Sequence, residues 1–244
     1  MKKIFTLIIF FLALAFSVGA QEEMQATKHL ESIVLGSGCF WGEEKRFEAI
    51  PGVVDAVSGY ADGRGVPPNY REITKAKNRF NSNNHAEVVL VVFNRNVVSA
   101  EDILKNYFEG HDPTQVNRQG NDIGTQYRSV ILTTNDQQNE IAKKLLNEFQ
   151  GLMSRQGYGK IVTKIKPLEK FYYAEEYHQD YLAKNPNGYC PDYSTGVVFK
   201  KNKNLVEIDN SLLLKGKQII VIESESCPYC AKFRENVLSN YQGT

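Results

Sequence analysis

Apolar positions in this chain fall into short blocks separated by long polar stretches, and the spacing within each block predicts an element. Ile33-Val34-Leu35 predicts a short strand, and Glu43 to Ile50 a helix just after it. Val53 to Tyr60 reads as a second strand. Val88 to Phe93 is almost continuously apolar, so Glu87 to Phe93 predicts a strand buried on both faces. Ala100 to Phe108 is amphipathic, with Ser99 as its N-cap. Ser129 to Leu132 predicts a strand, and Gln137 to Met153 a helix capped by Asn135 or Asp136. Ile161 to Ile165 predicts a further strand, and Tyr173 to Leu182 a short aromatic helix. Ala61 to Ser82 and His111 to Arg128 are polar and broken by glycine, and they read as two long loops. Loops of that length in a compact domain are usually functional or disordered. The order strand, helix, strand, strand, helix, strand, helix, strand predicts an α/β (α+β) protein. Its expected core is a ferredoxin-like two-layer mixed sheet covered by helices, followed by a long irregular C-terminal tail.

The two ends follow different rules. Lys2 and Lys3 precede the apolar run Ile4 to Phe16, and Val18-Gly19-Ala20 supplies small residues after it. That is a secretory signal pattern, with cleavage expected after Ala20. The run is short for a membrane span, so no stable insertion is expected once the leader is gone; an uncleaved membrane anchor is the alternative. Residues 21–31 read as a flexible lead-in, 32–200 as the main domain and 201–216 as a linker. Within 217–244, the strand Gln218 to Glu223 leads into Cys227-Pro228-Tyr229-Cys230 and a helix-like run. Strand, Cys-x-x-Cys, helix is how a thioredoxin-like domain opens, and 217–244 is expected to hold only that opening unit.

Composition narrows the function. The chain has 244 residues, 42% hydrophobic and 23% charged, with a formal charge of +1. That describes a folded globular protein. No basic stripe alternates with aromatics, so no nucleic-acid partner is expected. Export implies an oxidising compartment, the periplasm being the expected one. The four cysteines, Cys39, Cys190, Cys227 and Cys230, could form structural disulfides or carry redox chemistry.

Gly36-Ser37-Gly38-Cys39-Phe40-Trp41-Gly42 is the most telling segment. It sets a thiol between a strand and a helix, with glycines to turn the backbone. Free N–H groups and the dipole at a helix start favour negative charge, which is expected to lower the thiol pKa. Phe40 and Trp41, the only tryptophan, flank the thiol with aromatic walls. A nucleophile attacking a small, mostly apolar group fits this; so does a buried structural cysteine.

Gly38-Cys39-Phe40-Trp41-Gly42 closely resembles the active-site motif of the A-type peptide methionine sulfoxide reductases. His85-Ala86-Glu87-Val88-Val89 resembles a second signature of that family. His111 to Gln115, continuing through Gly120-Asn121-Asp122 to Gly124-Thr125-Gln126-Tyr127-Arg128-Ser129, resembles a third. Phe171 to Glu175 and Asn185 to Cys190 resemble its C-terminal part. The blocks keep the family's order from about Ile33 to Phe199. Departures are local: Asn81 to Asn84 replace the usual small Gly/Thr-containing turn, and Thr74 replaces a cysteine of some relatives.

The resemblance implies reduction of methionine S-sulfoxide, free or in proteins, to methionine. Cys39 would be the nucleophile and Glu87 the acid, its pKa raised by burial. Tyr70 and Tyr127 would donate hydrogen bonds to the sulfoxide oxygen, and Asp122 would line the site. Phe40 and Trp41 would hold the methyl group, with Tyr189 closing the pocket. Cys190 would resolve the Cys39 sulfenic acid as a disulfide, which a thioredoxin-like donor would reduce. No bound cofactor or metal is implied, and a monomer is expected. The tail carries no third cysteine after Cys190, which makes Cys227 and Cys230 a candidate redox relay.

Three rival readings make different demands. His85-Ala86-Glu87 with a later Cys-x-x-Cys is similar to a zinc deaminase signature, but Ser226 stands where that motif needs proline and the spacing is too long. A cysteine hydrolase would pair Cys39 with His85, His111 or His178. An exported binding domain would use all four cysteines as structural disulfides.

Overall fold

A computed structural model describes residues 29–189 and 191–199. The leader, Cys190, the linker and the Cys227/Cys230 segment lie outside the described residues. The strands and helices run β1 (Leu30–Gly36), α1 (Phe40–Glu48), β2 (Val53–Ala61), α2 (Tyr70–Ile73), β3 (Ala86–Asn94) and α3 (Ala100–Glu109). They continue with β4 (Arg118–Gln119), β5 (Asp122–Ile123), β6 (Val130–Thr133), α4 (Asp136–Arg155), β7 (Lys164–Pro167), β8 (Phe171–Tyr173) and α5 (Tyr181–Lys184). Short 3₁₀ turns occupy Ala76–Asn78, Thr125–Tyr127 and Glu176–His178.

Six strands form one mixed sheet in the order β7-β6-β1-β3-β2-β8. Its inner part, β6-β1-β3-β2, is antiparallel throughout and has the expected ferredoxin-like order. β7 adds in parallel beside β6, and β8 adds antiparallel beside β2. Tyr60 of β2 lies opposite Glu87 of β3 on one side and Tyr172 of β8 on the other.

Period-two alternation in β3 sorts its side chains. Val89, Val91 and Phe93 join Phe47 of α1, Leu104 of α3 and Phe149 of α4 in the main core. Val88 and Leu90 face the other way, with Val34 and Leu132 under Leu168 and Phe171. The continuous apolar run is thus a strand covered on both faces, with α1, α3 and α4 all on one of them. Among the described residues no helix is long and apolar enough to cross a membrane.

Caps decide the helix ends. Ser99 and Asp102 form a reciprocal capping box at α3. Asn135, not Asp136, caps α4 by accepting from the Gln138 amide at 2.9 Å. One expected element is overturned. The helix predicted over Tyr173 to Leu182 is a strand, a 3₁₀ turn and a single helical turn. The free edge of β2 captures Phe171–Tyr173 as β8, and Asp180 at φ 51° breaks the run again. The two long loops also hold short structure: α2 and a 3₁₀ turn in the first, the β4–β5 ribbon and a 3₁₀ turn in the second.

Candidate active site

The site forms where β1 runs into α1. Gly36 lies so close to β3 that an added Cβ would sit 2.9 Å from the Glu87 carbonyl oxygen. Gly38 adopts φ +116°, and a Cβ there would meet Gln119 at 2.9 Å. One glycine thus lets the turn press against the sheet and the other against the β4–β5 ribbon. α1 begins at Phe40, three residues earlier than the sequence predicts, so Cys39 is its N-cap residue. The thiol is free and partly exposed.

Glu87 stands at the start of β3, 2% exposed. The Phe40 amide donates to its Oε2 at 3.3 Å, tying the carboxyl to the residue after Cys39. Its other oxygen, Oε1, is buried and has no partner within the described residues. Burial, reinforced by the charge of Asp122, pushes the Glu87 pKa up to about 8. The carboxyl is therefore protonated at neutral pH, with one oxygen left for a ligand.

The two long loops bring their tyrosines to the same spot. Tyr70 opens α2, and Tyr127 closes the second 3₁₀ turn. Burial pushes Tyr70 up to about 12, and the charges of Glu87, Cys39 and Asp122 act in the same direction. Tyr127 is raised by burial and by the same three groups together with Tyr70. Asp122 of β5 also acts on Cys39 and Glu87, and its own pKa is raised by burial. These five predicted residues are thus mutual electrostatic neighbours.

The thiol corrects one expectation. The Trp41 and Gly42 amides do favour a thiolate at Cys39, as a helix start should. Burial outweighs them, and Asp122 and, once ionised, Glu87 add to it, so the Cys39 pKa is raised rather than lowered. The resting group is a neutral thiol.

Aromatic rings wall one flank. Phe40 is buried against Tyr60 and the His178 ring, with centroids 5.9 and 4.9 Å away. Trp41 stacks on Tyr181 at 3.8 Å and 14°, and its Nε1–H donates to His178 Nδ1 at 3.1 Å. That bond puts any remaining proton of a neutral His178 on Nε2, 3.9 Å from Glu175. Glu175 accepts from the Tyr60 hydroxyl at 2.7 Å and from the Tyr70 amide at 2.9 Å. Burial opposes its charge, but these bonds outweigh it and hold the carboxyl below its usual range. Glu175, His178, Tyr60 and Tyr181 fix the wall and Tyr70; sequence reasoning gave Glu175, Tyr60 and Tyr181 no part in the site and named His178 only as a partner of the thiol in the hydrolase reading. Glu175 did lie inside a block of resemblance, and that was the available signal.

The other flank is open. A cleft of about 560 Å³ runs between α1, the end of α3 and the tail, lined by Cys39, Arg46, Glu109, Tyr189, Pro191 and Tyr193 among others. Tyr189 is 47% exposed, with its hydroxyl 2.7 Å from that of Tyr193 and a weaker 3.4 Å contact to Asp122. Beyond it the tail is anchored by Phe199, buried and stacked on Phe149 at 4.9 Å.

Among the described residues, no histidine of the hydrolase reading is hydrogen-bonded to the thiol. His111 is buried between the Tyr107 carbonyl and Ser129 Oγ, each at 2.8 Å, and burial pulls its pKa down to about 3. His85 packs edge-on against Tyr172. His178 already accepts from Trp41. The thiol faces a carboxylic acid and two phenols instead, a set suited to protonating an oxygen.

Comparison with known proteins decides the family. Residues 31–207 match the family described as peptide methionine sulfoxide reductase. The chain belongs to that family. It is 49% identical over 169 residues to peptide methionine sulfoxide reductase MsrA 1 of Caulobacter vibrioides, covering 69% of this chain and 76% of that one. Identity to the Agrobacterium fabrum peptide methionine sulfoxide reductase MsrA is 51% over 169 residues, with 69% and 76% covered. Its fold matches methionine sulfoxide reductase A of Corynebacterium diphtheriae with a TM-score of 0.62 and 42% identity, covering 70% of this chain and 82% of that one. The protein is thus an MsrA-type methionine sulfoxide reductase.

Proposed function

We propose that the site reduces methionine S-sulfoxide by two-step thiol chemistry at Cys39. The carrying observation is the buried, protonated Glu87, with an unpartnered oxygen and a hydrogen bond to the residue beside the thiol. Cys39 sulfur bonds to the sulfoxide sulfur while Glu87 passes its proton to the sulfoxide oxygen. Tyr70 and Tyr127 donate to that oxygen, and the substrate methyl group rests against Phe40 and Trp41. The thiol's own proton returns to Glu87. Glu87 then protonates the bound oxygen, which leaves as water and gives a sulfonium held to Cys39 by the new S–S bond. A water attacks the Cys39 sulfur, its proton goes to Glu87, and the S–S bond breaks with its electron pair on the departing sulfur, which releases methionine and leaves a sulfenic acid on Cys39.

Cys190 then displaces water from the sulfenic acid and forms a Cys39–Cys190 disulfide. Support comes from the tail: Tyr189 and Pro191, its two sequence neighbours, line the same cleft as Cys39. A thioredoxin-like dithiol reduces that disulfide and is itself oxidised. The Cys227-Pro228-Tyr229-Cys230 segment, read as the opening of a thioredoxin-like domain, serves as a relay: one thiolate attacks the Cys39–Cys190 bond, and the pair ends as a disulfide for the external donor to reduce. The leader directs the enzyme to the periplasm, where it repairs oxidised exported proteins.

Mass spectrometry of tryptic disulfides after one turnover with a methyl sulfoxide tests the core mechanism. A Cys39–Cys190 link is expected; complete product formation with Cys190 still free would overturn it. Replacing Cys227 and Cys230 by serine tests the relay, and unchanged turnover with an external donor would remove it. N-terminal sequencing of the exported protein should begin at Gln21.

A further inference from the structure

We infer that Asn84 is a positioning residue, one that fastens both oxygen-binding tyrosine segments to the strand carrying Glu87. The inference rests on the roles just proposed for Tyr70 and Tyr127. Asn84 sits three residues before Glu87, in the turn where the chain departs from the family resemblance, and is 6% exposed. Its side-chain amide donates to the Ile73 carbonyl at 2.9 Å, the Asn78 carbonyl at 3.3 Å and Thr125 Oγ1 at 3.3 Å. Two of these partners are carbonyl oxygens, which can only accept, so the NH₂ end of the carboxamide must face them.

Each contact leads to a functional side chain. Ile73 ends α2, the single turn that Tyr70 begins. Thr125 begins the 3₁₀ turn that Tyr127 ends. The Thr125 hydroxyl donates onward to the Asn78 carbonyl at 3.0 Å, so the two loops are joined to each other as well as to Asn84. The backbone of β3 starts two residues after Asn84 and carries Glu87 as its second residue. One buried carboxamide therefore spans the three segments that hold the acid and the two phenols. A polar group this buried loses water hydrogen bonds on folding, and three acceptors around one NH₂ replace them.

Each loop has an anchor of its own, Glu175 at the Tyr70 amide and Arg128 at the Thr125 carbonyl, and Asn84 adds a contact that reaches both. α2 is four residues long, and the second 3₁₀ turn is three. Elements so short are not stable by themselves and take their geometry from contacts. Displacing a hydrogen-bond donor by even about 1 Å from a developing charge costs on the order of 10²-fold in rate. Asn84 touches no predicted substrate atom; it acts through the tyrosines.

A mutant cycle on the full chain tests this. Asn84→Ala is expected to lower the single-turnover rate of methionine formation about tenfold, with KM changed less than kcat. The same change made in a Tyr70→Phe/Tyr127→Phe background should cost less than about twofold, because the groups it positions are already gone. Thr125→Val removes the second anchor and leaves Asn84 its two carbonyl acceptors. It should show the same pattern at about threefold, and it carries the test should Asn84→Ala fail to fold. If the tyrosine variants lose activity but Asn84→Ala and Thr125→Val lose nothing, or lose equally in both backgrounds, the inference falls and the active-site reading stands. If the Tyr70→Phe/Tyr127→Phe enzyme keeps full activity, the active-site reading itself falls, and this inference with it.

Discussion

The floor of the site and its lip are built on opposite principles. The floor holds Cys39, Glu87, Tyr70 and Tyr127, and burial pushes the pKa of all four upward, keeping them uncharged at neutral pH. The lip holds Asp122, Tyr189 and Tyr193, tied by one phenol–phenol contact and a long carboxylate contact at the surface. A dry floor stores protons for an oxygen atom that must leave as hydroxide or water. An exposed, lightly bonded lip suits the tail movement that the proposed disulfide step requires. Proton transfer needs pre-organisation, and disulfide exchange needs access.

The comparison breaks most completely at the thiol. Cys39→Ser should abolish sulfoxide reduction, by more than about a thousandfold, since no other group on the floor can bond to sulfur. Its thermal midpoint should stay near that of the native protein, because Cys39 is partly exposed and caps α1 with no side-chain hydrogen bond. Calorimetry and a turnover assay on one preparation check both halves. An unfolded variant would return the cysteine to a structural role.

Glu87→Gln comes next. It keeps the size and the Phe40 contact but holds no transferable proton, and kcat/KM should fall on the order of 10²- to 10³-fold. The native rate should fall as pH rises through about 8, when the acid loses its proton, and the variant should lose that limb. Stability carries the same signature. Folding raises the Glu87 pKa from 4.5 to about 8, so its contribution is fully present below the lower value and is lost as pH rises through the higher one. Thermal melts should therefore show Glu87→Gln gaining on the native protein between those pH values. Parallel melting curves across that window would contradict the burial argument.

Tyr70→Phe and Tyr127→Phe each remove one hydroxyl from the floor. About 1.4 kcal/mol per hydrogen bond to the reacting oxygen corresponds to about a tenfold loss in kcat for each. Single-turnover methionine formation separates this from slower release. A loss confined to KM would assign the phenols to ground-state binding instead.

The sheet was legible because its signals are local. β3 is a nearly unbroken apolar run, and Ser99 and Asn135 cap the helices by short-range bonds. The element order then fixes the topology with few alternatives. Cys39 and Glu87 were legible through motif resemblance. The thiol pKa was misjudged because the helix start is visible in sequence while the burial, and the acids Glu87 and Asp122 brought in from 48 and 83 positions away, are not. The run Tyr173 to Leu182 was misread as a helix because the edge of β2, which captures Phe171–Tyr173, is more than a hundred residues earlier. Glu175 and Asn84 escaped notice for the same reason. Each is a polar residue whose partners, Tyr60 and Tyr70 for one, Ile73 and Thr125 for the other, come together only in the fold.

The smallest effect is expected at the lip, and it should fall on a different step. Tyr189→Phe removes the contact to Tyr193 and the long contact to Asp122, but no group touching Cys39 or Glu87. Exposed hydrogen bonds of this kind are worth little net, so the fold should be unchanged and first-step methionine formation should stay within about threefold of native. The second step differs, because those phenol contacts hold the tail segment on either side of Cys190. Freeing that segment changes how often its thiol meets the sulfenic acid, so the disulfide-forming rate should shift while the methionine-forming rate does not. Rapid quench, with methionine and free thiols counted in the same samples, resolves the two steps. Equal slowing of both would make Tyr189 part of the floor and erase the distinction between the two regions.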